Sequence, residues 1–193
     1  RMSKDTPIDD PELVKRLRDS STCRTAFGEV IARYSEPLYW QIRRMVENHD
    51  DANDLLQNTF MKAWSSIENF RGEAKLSTWL YKIAINESIT FLAKERKRMN
   101  ISIDDEESHL VNLIEADTYI DGDQLALKLR KAIASLPEKQ RLVFNMRYYD
   151  EMKYEQMSEI LGTSVGALKA SYHLAAKKLS NILPIMIKPI DTA

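Results

Sequence analysis

Apolar residues recur every three or four positions along most of the chain, the spacing of one face of an α-helix. Between residues 22 and 48, Phe27, Val30, Ile31, Tyr34, Leu38, Ile42, Met45 and Val46 form such a stripe, with a kink expected at Pro37. A second stripe runs through Leu55, Leu56, Phe60, Ala63 and Ile67, with Asp51 as its expected N-cap. A third helix is predicted from Leu76 to about Arg98, capped by Ser77 or a neighbour, and a short one from Pro11 to Asp19. Four helices of this kind can bury a common core.

Residues 101–124 break the pattern. Acids cluster there, neither Lys nor Arg occurs, and Gly122 interrupts any helix, so the segment reads as a linker. Helical spacing then resumes over 125–135, 137–148, 153–161 and 165–183, with Pro137 expected at the first helical position. No stretch alternates with period two between turn residues. The expected fold is all-α: a four-helix domain over 8–100, an acidic linker over 101–124, a four-helix domain over 125–183 and an apolar tail over 184–193.

The second domain contains Y-E-Q-M-S-E-I-L-G-T-S-V-G-A-L-K-A-S-Y-H-L-A-A-K-K-L, Tyr154 to Leu179. Met157, Ile160 and Leu161 face inward, Gly162 supplies the positive φ that ends the helix, and Ser164 caps the next. Val165, Leu168, Tyr172, Ala175 and Leu179 then line the buried side. A short glycine turn between two such helices is a helix-turn-helix, whose second helix enters the DNA major groove. Ser164, Gly166, Ala167, Lys169, Ala170 and His173 are placed towards base edges, and Lys177 and Lys178 towards phosphates. A plain helical hairpin is the bland reading. Small residues on an outward face favour close approach to a groove.

Charge sharpens the division. Residues 1–100 carry 17 Lys and Arg against 15 Asp and Glu; residues 101–124 carry 8 acids and no base; residues 125–193 carry 11 bases and 6 acids. Two mildly basic blocks around an acidic connector point to nucleic acid, although the whole chain sums to −1. The lone Cys23 forms no internal disulfide and reads as a small buried hydrophobe. With His49, His109 and His173 scattered there is no metal-ligand spacing, and no cofactor is expected. No P-loop or nucleophile–base pair is visible, so the chain is not expected to be an enzyme. No apolar run is long enough to span a bilayer, and a cytoplasmic protein is expected.

On the second stripe's helix, Asp54, Gln57, Asn58 and Met61 project away from Leu56, Phe60 and Ala63. An acid, two amides and a methionine suit a basic, helical protein partner. The following F-R-G-E loop and S-T-W-L-Y-K-I-A-I-N helix carry aromatic, hydroxyl and basic groups fit for nucleic acid. Together they suggest a protein that bridges DNA to a partner.

This wording resembles region 2 of the extracytoplasmic-function (ECF) group of bacterial sigma factors, through D-A-N-D-L-L-Q, F-R-G-E and S-T-W-L-Y-K-I-A-I-N. S-L-P-E-K-Q-R-L-V-F-N-M-R-Y-Y resembles the start of region 4. The resemblance implies an alternative-sigma initiation factor that binds core RNA polymerase, recognises −35 and −10 promoter elements and promotes strand opening. It implies that the Asp54, Gln57, Asn58 and Met61 surface docks on the β′ clamp helices, that the second domain meets the β flap, and that an anti-sigma factor is a partner. It assigns the loop and the helix after it to the melted −10 element. The chemistry agrees: Phe70 and Asn86 can wall and read an unstacked base. Gly72 allows close backbone approach, and Arg71, Lys75 and Lys82 can meet phosphates. Trp79 is expected in the core, and Trp40 and Trp64 as packing residues. Lys94, Arg96, Lys97 and Arg98 read as a soluble helix end or, with the resemblance, as a grip on duplex phosphates.

The sequence departs from the family's common recognition helix, V-K-S-R-L-H-R-A-R, where Leu168 to Ala176 reads L-K-A-S-Y-H-L-A-A. Arginine positions become Ser171, Leu174 and Ala176, so a consensus −35 sequence does not carry over. The acidic connector is expected to imitate nucleic acid in a basic polymerase channel, with Leu110, Val111, Leu113 and Ile114 docking there as a short helix. A solvated tether is the plainer reading of it. The apolar stretch Ile182 to Ile190 packs on its own domain or on an anti-sigma factor. Two rival functions stay open at this point. One is a helix-turn-helix regulator that acts without replacing sigma; the other, far less favoured, is a nucleic-acid-modifying enzyme.

Overall fold

The structure, a computed structural model, describes residues 10–116 and 123–183. Among them are nine α-helices: α1 (Pro11–Arg18), α2 (Cys23–Val46), α3 (His49–Ser65), α4 (Leu76–Met99), α5 (Ile103–Ala116), α6 (Gln124–Ala134), α7 (Glu138–Tyr148), α8 (Tyr154–Leu161) and α9 (Val165–Ile182). One turn of 3-10 helix, Ile67–Asn69, follows α3. The all-α expectation agrees with this.

In the N-terminal bundle α2, α3 and α4 pack on one another, and α1 covers α2. Asp10 starts α1 by accepting from the backbone N–H groups of Glu12 and Leu13 (3.0 and 3.2 Å), with Pro11 behind it. The α2 stripe buries Phe27, Val30, Leu38, Ile42, Met45 and Val46. Ile31, expected with them, is exposed. The helix continues through Pro37, which costs it the backbone bond to residue 33. It ends at Glu47, a non-glycine residue at φ 56°, whose N–H bonds the Arg43 carbonyl.

Two expected caps move. Asn48 opens α3, its side chain accepting from the Asp51 N–H at 2.9 Å, so Asp51 lies in the first turn instead. Lys75 precedes α4 with no side-chain cap, because Ser77 points into the bundle and is buried with Thr78. Trp64 packs against Phe27 (5.0 Å between centroids) yet leaves 43% of its surface exposed, and Trp40 is also exposed. Cys23 is half-buried against the core.

The C-terminal bundle centres on α9, against which α6, α7 and α8 pack. Phe144 stacks on Tyr172 (5.6 Å) and Tyr148 (5.1 Å). Pro137 sits one position before its helix, as the N-cap. Gly162 adopts φ 65° between α8 and α9, and Ser164 Oγ accepts from the Ala167 N–H at 3.2 Å, as the helix-turn-helix reading requires.

The connector departs most from expectation. Residues 103–116 form α5, started by Ser102, whose hydroxyl accepts from the Asp105 N–H and donates to its carboxylate. Leu110 and Ile114, one turn apart, are buried, with Val111 and Leu113 partly so. An apolar stripe inside an acidic segment has folded onto the rest of the chain. Gly122 and the tail from residue 184 lie outside the described residues.

Candidate protein- and nucleic-acid-binding surfaces

The outer face of α3 follows from its inner face. Ala52, Leu55, Thr59, Phe60 and Ala63 are buried, and Thr59 turns its hydroxyl back to the Leu55 carbonyl (2.7 Å). Asp54, Gln57, Asn58 and Met61 consequently all face solvent, Met61 with 67% of its surface exposed. A bare methionine beside two amides and a carboxylate can take both apolar and hydrogen-bonding contacts. At the head of the helix, partial burial, reinforced by Glu95, Asp54 and Asp50, pushes the Asp51 carboxyl upward. His49 there bonds the Tyr39 hydroxyl (2.6 Å) and the Asn53 amide (3.1 Å), a network the sequence did not signal.

In the loop before α4, Arg71, Gly72 and Lys75 are exposed. Gly72 holds φ 74°, which L side chains rarely adopt, and an added Cβ would lie 3.6 Å from Val14 Cγ1. Phe70 is only 5% exposed: its ring lies 5.0 Å from that of Trp79. Lys82 and Asn86 are exposed on α4. Asn86 lies seven positions after Trp79, about 10 Å along the helix. Phe70 and Asn86 therefore do not form a closed pocket in this arrangement, because Phe70 is held in the core by Trp79. Phe70 also borders an open groove of about 1000 Å³ that includes Arg18, Trp64 and Arg71.

The basic end of α4 is divided. Lys94 and Lys97 are exposed, and Arg98 bonds Glu95 at 2.9 and 3.1 Å. Arg96 turns inward to Glu106 of α5 and to Glu138 of α7 (2.7 Å), so here it faces carboxylates instead of solvent.

On α9, Ser164, Gly166, Lys169, Ala170, His173, Lys177 and Lys178 are exposed and Ala167 is half-buried, as their outward placement requires. Ser164 spends its hydroxyl on the cap, and the Lys169 ammonium lies 5.7 Å from the Tyr154 ring centroid. Leu174, where the family pattern has arginine, is 49% exposed on the same helix.

A second set of polar residues joins the two bundles. Arg44 on α2 pairs with Asp150 at 2.7 Å and lies 4.6 Å from the Tyr149 ring centroid. Glu47 receives Arg130 of α6 at 2.5 Å and Arg43 at 3.8 Å. Glu106 lies 3.9 Å from Arg141, which is 1% exposed. Gln156 on α8 donates to the Thr78 hydroxyl on α4 at 3.0 Å. Burial pushes the Asp150 carboxyl up to about 6 against the pull of Arg44, and likewise raises Glu47 against Arg130. Burial lowers Arg141, opposed by Glu106, Glu138 and Glu47. Only one hint lay in the sequence: Arg43 and Glu47, one turn apart, flank the apolar pair Met45 and Val46.

Comparison with known proteins places these surfaces in context. Residues 30–98 match sigma-70 region 2, and residues 126–179 match sigma-70 region 4. The chain is 30% identical to the ECF RNA polymerase sigma-E factor of Haemophilus influenzae, over 93% of this chain and 98% of that one. It is 30% identical to the ECF RNA polymerase sigma factor SigW of Bacillus subtilis, covering 80% and 87%. Its fold is shared with the sigma factor RpoE solved with the anti-sigma factor NepR from Bartonella quintana (TM-score 0.67, 22% identity, 83% of this chain and 98% of that one). It is likewise shared with CnrH solved with the cytosolic domain of CnrY (TM-score 0.66, 21% identity, 91% and 97%).

Proposed function

Because the chain belongs to the extracytoplasmic-function group of RNA polymerase sigma factors, we propose that its three exposed surfaces divide the work of initiation among core polymerase, the −10 element and the −35 element. The protein is a transcription initiation factor, which sets aside a regulator that acts without replacing sigma. We assign Asp54, Gln57, Asn58 and Met61 to the β′ clamp helices. Arg71, Gly72, Lys75, Lys82 and Asn86 are assigned to the −10 strand, with Phe70 available to a base once the loop moves it off Trp79. Lys94, Lys97 and Arg98, and Arg96 when released from its carboxylates, are assigned to upstream phosphates. The outward residues of α9 are assigned to the −35 element, Lys177 and Lys178 to its phosphates.

Residues 8–100 and 125–183 are taken as the two functional domains and 101–124 as the connector. The second domain would also meet the β flap. An anti-sigma factor is a fitting partner, since both structural relatives were solved with one or with a companion's cytosolic domain. No helix among the described residues is long and apolar enough to cross a membrane, and the site of action is the cytoplasm, where polymerase meets DNA.

The observation that carries the docking assignment is the outer face of α3: four adjacent exposed side chains on a helix whose opposite face already accounts for its folding. Asp54→Lys with Gln57→Ala should weaken binding to core polymerase at least tenfold, read by fluorescence anisotropy, while the helical circular dichroism stays unchanged. Undiminished binding would move the interface elsewhere.

A further inference from the structure

The outward side of α9 is composed unlike an ordinary solvated helix face. Its inward row is Leu168, Tyr172, Ala175 and Leu179. Opposite that row, at successive turns, stand Gly166, Ala170 and Leu174, all exposed, Leu174 with 49% of its surface bare. Gly166 is helical, and a Cβ built on it would meet nothing within 4 Å, so neither backbone geometry nor packing within this chain calls for glycine there. Glycine in a helix is less stable than alanine. What the row gains is a shallow profile. A surface laid against it can approach the backbone closely at Gly166 and Ala170, and then meets the branched side chain of Leu174.

The same face is poor in groups that read bases by hydrogen bonds. In the major groove, guanine is read by Arg or Lys, adenine by Asn or Gln, and cytosine by Asp or Glu. From Val165 to Leu179 the helix carries no Arg, Asn, Gln, Asp or Glu. Ser164 commits its hydroxyl to the Ala167 N–H, Ser171 is half-buried, and the Lys169 ammonium lies 5.7 Å from the Tyr154 ring centroid. Arg147 of α7 lies over the same ring at 5.0 Å and donates to the Met152 carbonyl. Apolar side chains read one feature of the major groove, the C5 methyl group of thymine. The rise from Ala170 to Leu174 is about 6 Å, or roughly two base-pair steps of 3.4 Å.

We propose that α9 reads the −35 element through thymine methyl groups, with Ala170 and Leu174 as specificity-determining residues and Gly166 admitting the groove edge to the helix. The inference rests on the assignment of the outward face of α9 to the −35 element. Lys177 and Lys178 hold phosphates and fix the register, and carry no sequence information themselves. Discrimination comes instead from thymines about two steps apart, on one strand or the other. Guanine, which an arginine-bearing recognition helix would read, contributes little.

The test begins with duplexes selected by the full chain and core polymerase from a pool with a long randomised tract. The recovered duplexes should share two sequence blocks. The upstream block is then resynthesised with deoxyuridine for thymidine, which removes the methyl groups and nothing else. Burial of one methyl group is worth about fourfold in affinity, so the deoxyuridine duplex should bind about tenfold more weakly when two are lost. Leu174→Ala, a change at an exposed position to a good helix former, should bind the thymidine duplex about fourfold more weakly and lose correspondingly less on deoxyuridine. Equal binding of the two duplexes by the parent chain would sink the idea, and that comparison needs no variant. If Leu174→Ala weakened both duplexes alike, or weakened core polymerase binding without DNA, Leu174 would belong to a protein contact and its role here would be overturned. Recovery of no upstream block at all would remove the assignment of α9 on which the proposal rests.

Discussion

Two neighbouring residues of α7 can be set side by side. Phe144 lies between the rings of Tyr148 and Tyr172, both ring contacts made within the C-terminal bundle. Arg141, one helical turn earlier, is just as deeply buried but looks to Glu106 on the connector helix, outside the bundle. Burial of rings is worth much the same wherever water is excluded, so Phe144 ties α7 to its own domain. Burial of a guanidinium is favourable only while its counter-charge stays in place. Arg141 therefore makes the domain's position conditional. Equal burial does not mean equal permanence.

The comparison breaks most readily at Phe144. Phe144→Ala removes a ring from between two others and should cost about 3–5 kcal/mol, seen as loss of the C-terminal bundle's transition in urea. No substitution in the other domain should recover it.

Arg141 should behave otherwise. Glu106→Ala leaves that guanidinium buried without its close counter-charge and should cost roughly 3 kcal/mol. Adding Arg141→Met, which fills similar space with no charge, should recover most of the loss, so that the double variant lies within about 1 kcal/mol of the parent in the same urea measurement. A double variant no better than Glu106→Ala would mean that the ion pair is no more replaceable than the stacked rings.

The smallest effect expected is a response to pH. Burial raises the Asp150 carboxyl from its ordinary 3.8 to about 6, outweighing Arg44. The folded chain thus binds this proton more tightly than the unfolded one, so between about pH 6 and pH 4 a falling pH adds stability through this group. Above pH 6 the charged carboxylate costs a constant amount. Glu47 shifts in the same direction, while Arg44, Tyr149 and Tyr81 are other charged or titratable groups near Asp150. The urea midpoint should therefore rise slightly on going from about pH 7.5 to about pH 5.5, and Asp150→Asn should remove most of the response. A fall instead would mean that the ion pair outweighs its desolvation.

The same division separates what the sequence disclosed from what it did not. The stripes of α2, α3 and α9, the Gly162 turn and the outward faces of α3 and α9 all follow from spacing over a few residues, and they were legible. Ile31 misled because a residue can keep the period of a stripe and still sit at its edge. Asn48 displaced Asp51 because several polar residues near a helix start can cap it equally well. Phe70 was assigned by its chemistry, and only the contact with Trp79 shows which way the ring turns. The connector was the least legible. Eight acids without a base describe a solvated tether when read locally. Its helix depends on Leu110 and Ile114 finding a surface, and the burial of Glu106 depends on Arg96 and Arg141, ten and thirty-five residues away in opposite directions.

Glu47 shows what such a junction demands of later change. It ends α2 in a left-handed conformation that glycine would adopt with less strain, so a mutation to glycine there should ease the local backbone by roughly 1 kcal/mol. The same mutation would remove the carboxylate that Arg130 and Arg43 share at the junction. Improvement judged by the turn and improvement judged by the domain contact point in opposite directions at one codon. A lineage that gave up this contact between the bundles would be free to replace Glu47 with glycine, and one that kept it would retain an acidic residue in a place where backbone geometry alone would never select it.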